Sequence, residues 1–296
     1  KSFTNYITKV FKKCKSNGYN TVFVHARMFS DAMYPSKYFP WSVYASGTAG
    51  KNPGFDPLKI MVDKAHGMGL SVHAWLNPYR KKMGVSFDPG KASSLKRIRR
   101  IVAEIVQNYN VDGIHFDDYF YPAKAKGAQF SKVSVAKRKR VINKMVQTIY
   151  STVKKQDEKL LFGISPAGNI EYAESLGCDL ATWLSEDGYI DYIVPQIYWS
   201  DQYRMGRKVT SLYTNRLNKW VNLNKNNTSM YIGLATYRAG TYSSSDLGWR
   251  RKNNNLVSQI KKEKAAGCDG FVLFSSSYMY HSRAAKEMKN YRNYIR

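Results

Sequence analysis

The run Asp112-Gly113-Ile114-His115-Phe116-Asp117-Asp118-Tyr119-Phe120-Tyr121-Pro122 changes character along its length. A strand buried on both faces of a parallel sheet reads as a nearly continuous apolar segment. Here the apolar residues are broken by His115, Asp117 and Tyr119. These stand two apart, so they share one face. The same pattern recurs elsewhere: strand 21–27 carries His25 and Arg27, strand 70–77 carries His73, Trp75 and Asn77, and strand 190–198 carries Gln196 and Tyr198. One buried polar residue is ordinary packing. Polar residues on one phase near the C-terminal ends of several strands mark the floor of an active site at the mouth of a parallel barrel.

The rest of the chain supplies the helices that such a barrel needs. Residues 3–16 read as an amphipathic helix stopped by Asn17-Gly18. Further helices are predicted around Leu58–Ala65 and over 92–109, 134–156, 179–187, 208–223 and 253–266, with a last one from about 282. Between them lie strands at 21–27, 70–77, 113–119, 160–165, 190–198, 229–236 and 270–275. Strands alternating with helices imply a parallel sheet with crossover helices. Seven strands are counted where a closed barrel needs eight. The chain opens on a helix, so the strand not found would be the first. The expected fold is a (β/α)8 TIM barrel lacking its first strand, in one domain over 1–296, with 113–119 as strand 4 of the full barrel.

Composition narrows the class. With 43% hydrophobic and 14% aromatic residues over 296 positions, the chain can bury a sizeable core and is not of the disordered class. No apolar run is long enough to span a bilayer. The opening Lys1-Ser2-Phe3-Thr4 shows no leader, which fits either a cytoplasmic protein or a mature secreted chain whose leader has been removed. Cys14, Cys178 and Cys268 have the spacing of neither a zinc site nor a redox pair, and read as small buried residues. The net charge of +26 points to an anionic partner: nucleic acid, a membrane surface or an anionic cell wall. The basic residues form no single arm, and the run Lys137-Arg138-Lys139-Arg140 falls on a predicted helix as a solvated face. No specific nucleic-acid site is expected.

Acids are scarce at the strand ends. Asp117 is in phase with His115 and faces the barrel mouth, whereas the adjacent Asp118 points to the helix layer or flanks the site. Phe116, Tyr119, Phe120 and Tyr121 would desolvate a carboxyl group there, and desolvation raises a carboxyl pKa toward the range that a general acid needs.

These residues, with Tyr34-Pro35-Ser36, Pro40-Trp41-Ser42, His73-Ala74-Trp75-Leu76-Asn77-Pro78-Tyr79-Arg80, Ile164-Ser165-Pro166 and Val194-Pro195-Gln196-Ile197-Tyr198-Trp199, resemble glycosyl hydrolase-like family 10. The motifs run in order over most of the chain, and 112–122 is the most specific. The resemblance implies a (β/α)8 barrel that is typically bacterial, often exported, and associated with cleavage of peptidoglycan glycan strands. Members often begin with a strand that is absent here, and the connection from Arg80 to Phe87-Asp88-Pro89-Gly90 is shorter than the family leads one to expect. A fainter similarity to family-18 chitinases aligns Asp112, His115, Asp117 and Tyr119 with their spaced acids, and puts a tyrosine where the chitinase acid belongs.

The expected chemistry is glycoside hydrolysis with Asp117 and Asp118 as catalytic acids. Glu171 and Asp201 are the candidates for a second carboxyl group across the scissile bond. Without one, the sugar's 2-acetamido group or its 6-hydroxyl would attack, the latter giving the anhydro product of a lytic transglycosylase. Arg27, His73, Asn77, His115, Tyr119, Gln196 and Tyr198 would orient the sugar, and Trp75, Tyr79 and Trp199 would stack on its faces. No cofactor or metal is called for. A zinc-dependent deacetylase built on His25, His73, His115 and Asp117 is an alternative, although no close-spaced His-x-His is present. A non-catalytic glycan-binding barrel is another. The expected partners are peptidoglycan glycan strands and, through the basic surface, anionic cell-wall polymers, in a secreted, wall-associated location.

Overall fold

The structure is a computed structural model that describes residues 2–82, 85–122, 130 and 132–295. The chain divides into two compact units, Lys1–Ile164 with Glu171–Asp191, and Ser165–Ile170 with Tyr192–Arg296. Among the described residues, seven parallel strands alternate with helices, which is the (β/α)8-barrel class with one strand fewer than a closed barrel.

In the first unit the strands are β1 (Thr21–Arg27), β2 (Ser71–Leu76), β3 (Gly113–Asp117) and β4 (Leu161–Ser165), hydrogen-bonded in that order. The helices are α1 (Ser2–Ser16), α2 (Pro57–His66), α3 (Ala92–Asn108) and α4 (Val135–Gln156). Local chemistry fixes their ends. Gly18 takes φ 80 just after α1, and Asp56 and Ser134 accept the amides of Lys59 and Lys137 to cap α2 and α4. Ile98, Ile101, Val102 and Ile105 of α3 and Ile142, Met145, Val146 and Ile149 of α4 are buried. Each such side chain contributes roughly 1.5–3 kcal/mol.

The register of β1 to β3 decides where the predicted face lies. Phe23 pairs with His73 and His73 with Gly113, while His25 pairs with Trp75 and Trp75 with His115. Two rows of side chains therefore cross three strands. A Cβ on Gly113 would come within 2.8 Å of the His73 ring and 2.6 Å of the Leu161 carbonyl, so glycine leaves the space that this imidazole fills. Between His25 and Arg27 the ladder slips, and Arg27 pairs with Leu76. Such a bulge re-aims the residue beyond it.

In the second unit the strands are β5 (Tyr192–Ile193), β6 (Ser229–Ala235) and β7 (Gly270–Phe274), again in chain order, with helices α5 (Leu212–Leu223), α6 (Asn255–Ala265) and α7 (Ala285–Ile295). The strand expected over 190–198 is reduced to two residues. Pro195 has no amide for a ladder, and beyond it only Gln196 bridges, to Ala167 and Gly233. The helix expected from 208 starts at Leu212, because Lys208–Thr210 forms a small antiparallel ribbon with Tyr203–Met205, turned at Gly206 with φ 61. The helix expected over 179–187 shrinks to Leu180–Trp183, and a further short helix covers Ile170–Ser175.

One device recurs at the N-terminal ends of the strands. Asp112, Asp191 and Asp269 each precede a strand, and their carboxylates accept the amides of Val72, Phe162 and Met230 at 2.6, 2.7 and 2.8 Å. Asp112 also meets His66 Nε2 at 2.8 Å. The first acid of the chitinase-like frame is thus a strand lock at the far end of β3 from Asp117. All three cysteines are free thiols: Cys14 and Cys178 are buried and Cys268 is half-buried.

Candidate active site

The row of side chains across β1, β2 and β3 forms a stack of rings. His25 lies on Trp75 at 4.0 Å between centroids, and Trp75 meets His115 edge-on at 5.9 Å. Phe23 stacks on His115 at 4.3 Å and tilts against His73 at 5.2 Å. Burial holds these imidazoles neutral: it pushes the pKa of His25 and of His73 down to about 4, and that of His115 well below the usual value. Among the described residues, no group of three or more His, Cys, Asp or Glu side chains is arranged to hold a metal ion. The histidines of the deacetylase alternative are therefore a neutral aromatic floor.

Asp117 ends β3 at the top of this floor and is 9% exposed. The Asp118 amide donates to its Oδ1 at 2.9 Å, which fixes the orientation of the carboxyl group. Tyr119 follows, half-exposed, with the Arg80 guanidinium 3.8 Å from its ring centroid. Burial and then the Asp117 charge push the Tyr119 phenol up, and Arg80 pulls against them. A carboxylate, a phenol and a guanidinium thus converge at one strand end. Asp118 is half-buried and faces the other way. Its charge, after burial, raises the Tyr172 phenol and the buried Cys178 thiol, so it looks toward the segment that begins with the exposed Glu171.

Three expectations are corrected by geometry. Arg27 does not reach out to a sugar. Beyond the bulge it is 1% exposed, and its guanidinium donates to the carbonyls of Asn77, Pro78 and Arg80, clamping the loop after β2. Tyr79 is fully buried, so it packs in the core and offers no face for stacking. Asp201 is tied to Lys262 and to the amide and hydroxyl of Thr214. Burial alone would raise its pKa, but these bonds win and hold it below the usual carboxylate range; with both oxygens already engaged, it is not placed to attack a sugar or to activate a water. Asn77 is also buried. Its Nδ2 donates to the Met28 carbonyl at 2.9 Å, and its Oδ1 has no hydrogen-bond partner.

In the second unit, Gln196 Nε2 donates to the Ser165 carbonyl at 2.9 Å. Tyr198 stacks on Phe274 at 6.2 Å and meets Tyr237 edge-on at 5.7 Å, and Tyr237 reaches Tyr278 at 6.3 Å. Trp199 is half-buried, with Arg216 5.9 Å from its ring. Tyr237, Phe274 and Tyr278 were not singled out from the sequence. They stand at or just past the C-terminal ends of β6 and β7, and an aromatic residue at a strand end reads as core until its exposure is known. Phe274 is 38% exposed. Arg80 and Tyr172 were likewise assigned no role, since neither shares the two-residue phase of the strands.

The glycosyl hydrolase-like 10 family matches residues 4–89 and 81–251 of this chain. "Glycosyl hydrolase YngK" of Bacillus subtilis (strain 168) is 31% identical over 286 residues, covering 78% of this chain and 55% of the relative. "Glycosyl hydrolase DigH" of Escherichia coli (strain K12) is 31% identical over 331 residues, covering 88% of this chain and 73% of the relative. The chain thus spans little more than half the length of the first of these proteins. Among solved structures, the PgaB (BpsB) glycoside hydrolase domain of Bordetella bronchiseptica superposes with a TM-score of 0.65 at 11% identity, over 97% of this chain and 92% of that one. At that identity the likeness shows the fold, a barrel shared with glycoside hydrolases.

Proposed function

We propose, from the premise that this chain belongs to the glycosyl hydrolase-like 10 family, that it is a glycosidase cleaving the N-acetylglucosamine/N-acetylmuramic acid strands of peptidoglycan outside the cytoplasm. The observation that carries this reading is Asp117, a 9%-exposed carboxyl group at the C-terminal end of β3, oriented by the Asp118 amide over a neutral aromatic floor. Barrel enzymes carry their chemistry at that end of the strands.

In this reading Asp117 delivers the proton to the glycosidic oxygen as the bond to the anomeric carbon breaks. Asp118 supports it from the side of the 171–178 segment. Arg80 and Tyr119 orient the hydroxyl or acetamido groups beside it. Within the second unit, Tyr198, Tyr237 and Phe274 are a set of ring faces of their own on which a sugar can stack. With Asp201 held by Lys262, the anomeric carbon is attacked either by the substrate's own 2-acetamido oxygen or by a water activated by Glu171.

Digestion of purified glycan strands followed by mass spectrometry tests the proposal. Hydrolysis adds one water at each cut, and the expected products carry free reducing ends. Anhydro ends would reassign the chemistry to intramolecular attack by the 6-hydroxyl. Intact strands after prolonged incubation would overturn the glycosidase reading.

A further inference from the structure

A basic cleft lies in the first unit beside the loop after β2. A cleft of about 370 Å³ is bounded by Lys81, Lys91, Arg97, Ser93 and Ser94, with Phe87 as its apolar wall. Asp88 is the one acid in the lining, and its Oδ1 is turned to the Gly90 amide at 2.9 Å. Among the described residues the three cations form no ion pair within 4.0 Å. Two of them rest on one ring: the Arg97 guanidinium is 4.6 Å and the Lys81 ammonium 5.1 Å from the Phe87 centroid. Like charges gathered on a common ring repel each other, one carboxylate against three cations leaves the lining net positive, and an anion seated among them removes that repulsion. The residues of the cleft also open α3, a helix of 17 residues with no side-chain cap on its first turn, whose positive end favours the same sign of ligand. The Phe87 amide is tied to the Tyr79 carbonyl at 2.6 Å, and Tyr79 follows β2 at the strand end where Asn77 lies.

We infer that this cleft holds an anionic oxygen group, a carboxylate or phosphate ester, borne by the glycan or by a polymer attached to it. The inference rests on the glycosidase reading only for the origin of the anion. Seating the group there would position a charged polymer along the rim and favour charged over uncharged strands.

The test has two arms. In the first, the backbone amide resonances of Ser93 and Ser94 are followed while inorganic phosphate, and separately acetate, replaces chloride at constant ionic strength. The wild-type protein is expected to show saturable shifts there, weakened at least about tenfold in Arg97→Gln and in Lys91→Gln, since a charge-assisted hydrogen bond is worth roughly that much. Both side chains are exposed, so the variants should fold. The stronger of the two probes identifies the source of the anion. Shifts that do not saturate, or that survive both substitutions, would overturn the site. In the second arm, the ratio of kcat/KM for carboxylate-bearing over uncharged glycan oligomers should fall in Arg97→Gln, and an unchanged ratio would remove the cleft from substrate recognition. If no oligomer is cleaved by any of the proteins, the glycosidase reading fails, while the amide titration still decides the cleft.

Discussion

Asp117 and Arg27 occupy the same nominal phase on neighbouring parts of the sequence pattern, yet they end in opposite situations. Asp117 stays on the face because β3 is regular to its last residue, whereas a ladder slip turns Arg27 to the carbonyls of the loop after β2. Replacing Asp117 by Asn keeps the shape and removes the transferable proton. Asp117→Asn should lower turnover on glycan strands by about 10²–10⁴-fold with the thermal midpoint little changed. A folded Asp117→Asn protein of near-wild-type activity would move the acid role to Asp118. His73 carries a pH prediction. Its pKa is lowered by burial from 6.5 to about 4, so between those values the unfolded chain binds the proton and the native one does not. Stability is then full above pH 6.5 and is lost as pH falls toward 4. The swing is roughly 3 kcal/mol for this group, at about 1.4 kcal/mol per pH unit. Denaturant midpoints measured from pH 7 to pH 4 should fall, and less so in a folded His73→Gln variant. A flat profile would mean that the ring is not desolvated.

At the scale of elements, the packing of β3 depends on the absence of a side chain at its first residue. Gly113→Ala would push a methyl group against the His73 ring and the Leu161 carbonyl, at 2.8 and 2.6 Å. Overpacking of this kind costs about 1–3 kcal/mol, and the shift should propagate to Asp117. Both the thermal midpoint and turnover are therefore expected to drop, and an unaffected Gly113→Ala protein would show that β3 has slack. Helix α6 carries the opposite kind of pH sensitivity from His73. Glu263 is 2% exposed and accepts the Tyr213 hydroxyl. Burial raises its pKa from 4.5 to about 8, and the Tyr213 bond only partly offsets this. A raised carboxyl pKa means that the unfolded chain loses the proton first as pH rises. The contribution is therefore full below pH 4.5 and is lost as pH climbs to about 8. Glu263→Gln keeps an acceptor for Tyr213 without the charge. Its stability should exceed that of wild type increasingly between pH 5 and 8, and equal curves would show that Glu263 is solvated.

Over the whole molecule the dominant quantity is the net charge of +26. It is too widely distributed for one patch, and long-range attraction to an anionic wall needs no patch. Such attraction is screened once the Debye length shrinks to about 3 Å near 1 M salt. Co-sedimentation with insoluble cell walls should thus weaken steeply along a salt series, while turnover of a short uncharged oligomer changes much less. Wall binding indifferent to salt would sink the electrostatic account, and tight retention on duplex DNA without glycan turnover would favour a nucleic-acid partner instead.

Much of this protein is written along the chain itself. Alternating hydrophobic periods placed seven strands and most of their helices, and the two-residue spacing of His115, Asp117 and Tyr119 determined that they share one face of the chain, because side-chain direction in a regular strand follows from position alone. What the chain did not reveal depends on neighbours distant in sequence. Whether Tyr79 is floor or core, whether Asp201 is free or held by Lys262 61 residues away, and whether Phe274 is buried or open are matters of burial and pairing, which local periodicity does not encode. The bulge after His25 and the loss of ladder at Pro195 belong to the same class. Each breaks the regularity on which reading from sequence depends, and only the packed structure decides where the side chains beyond it go.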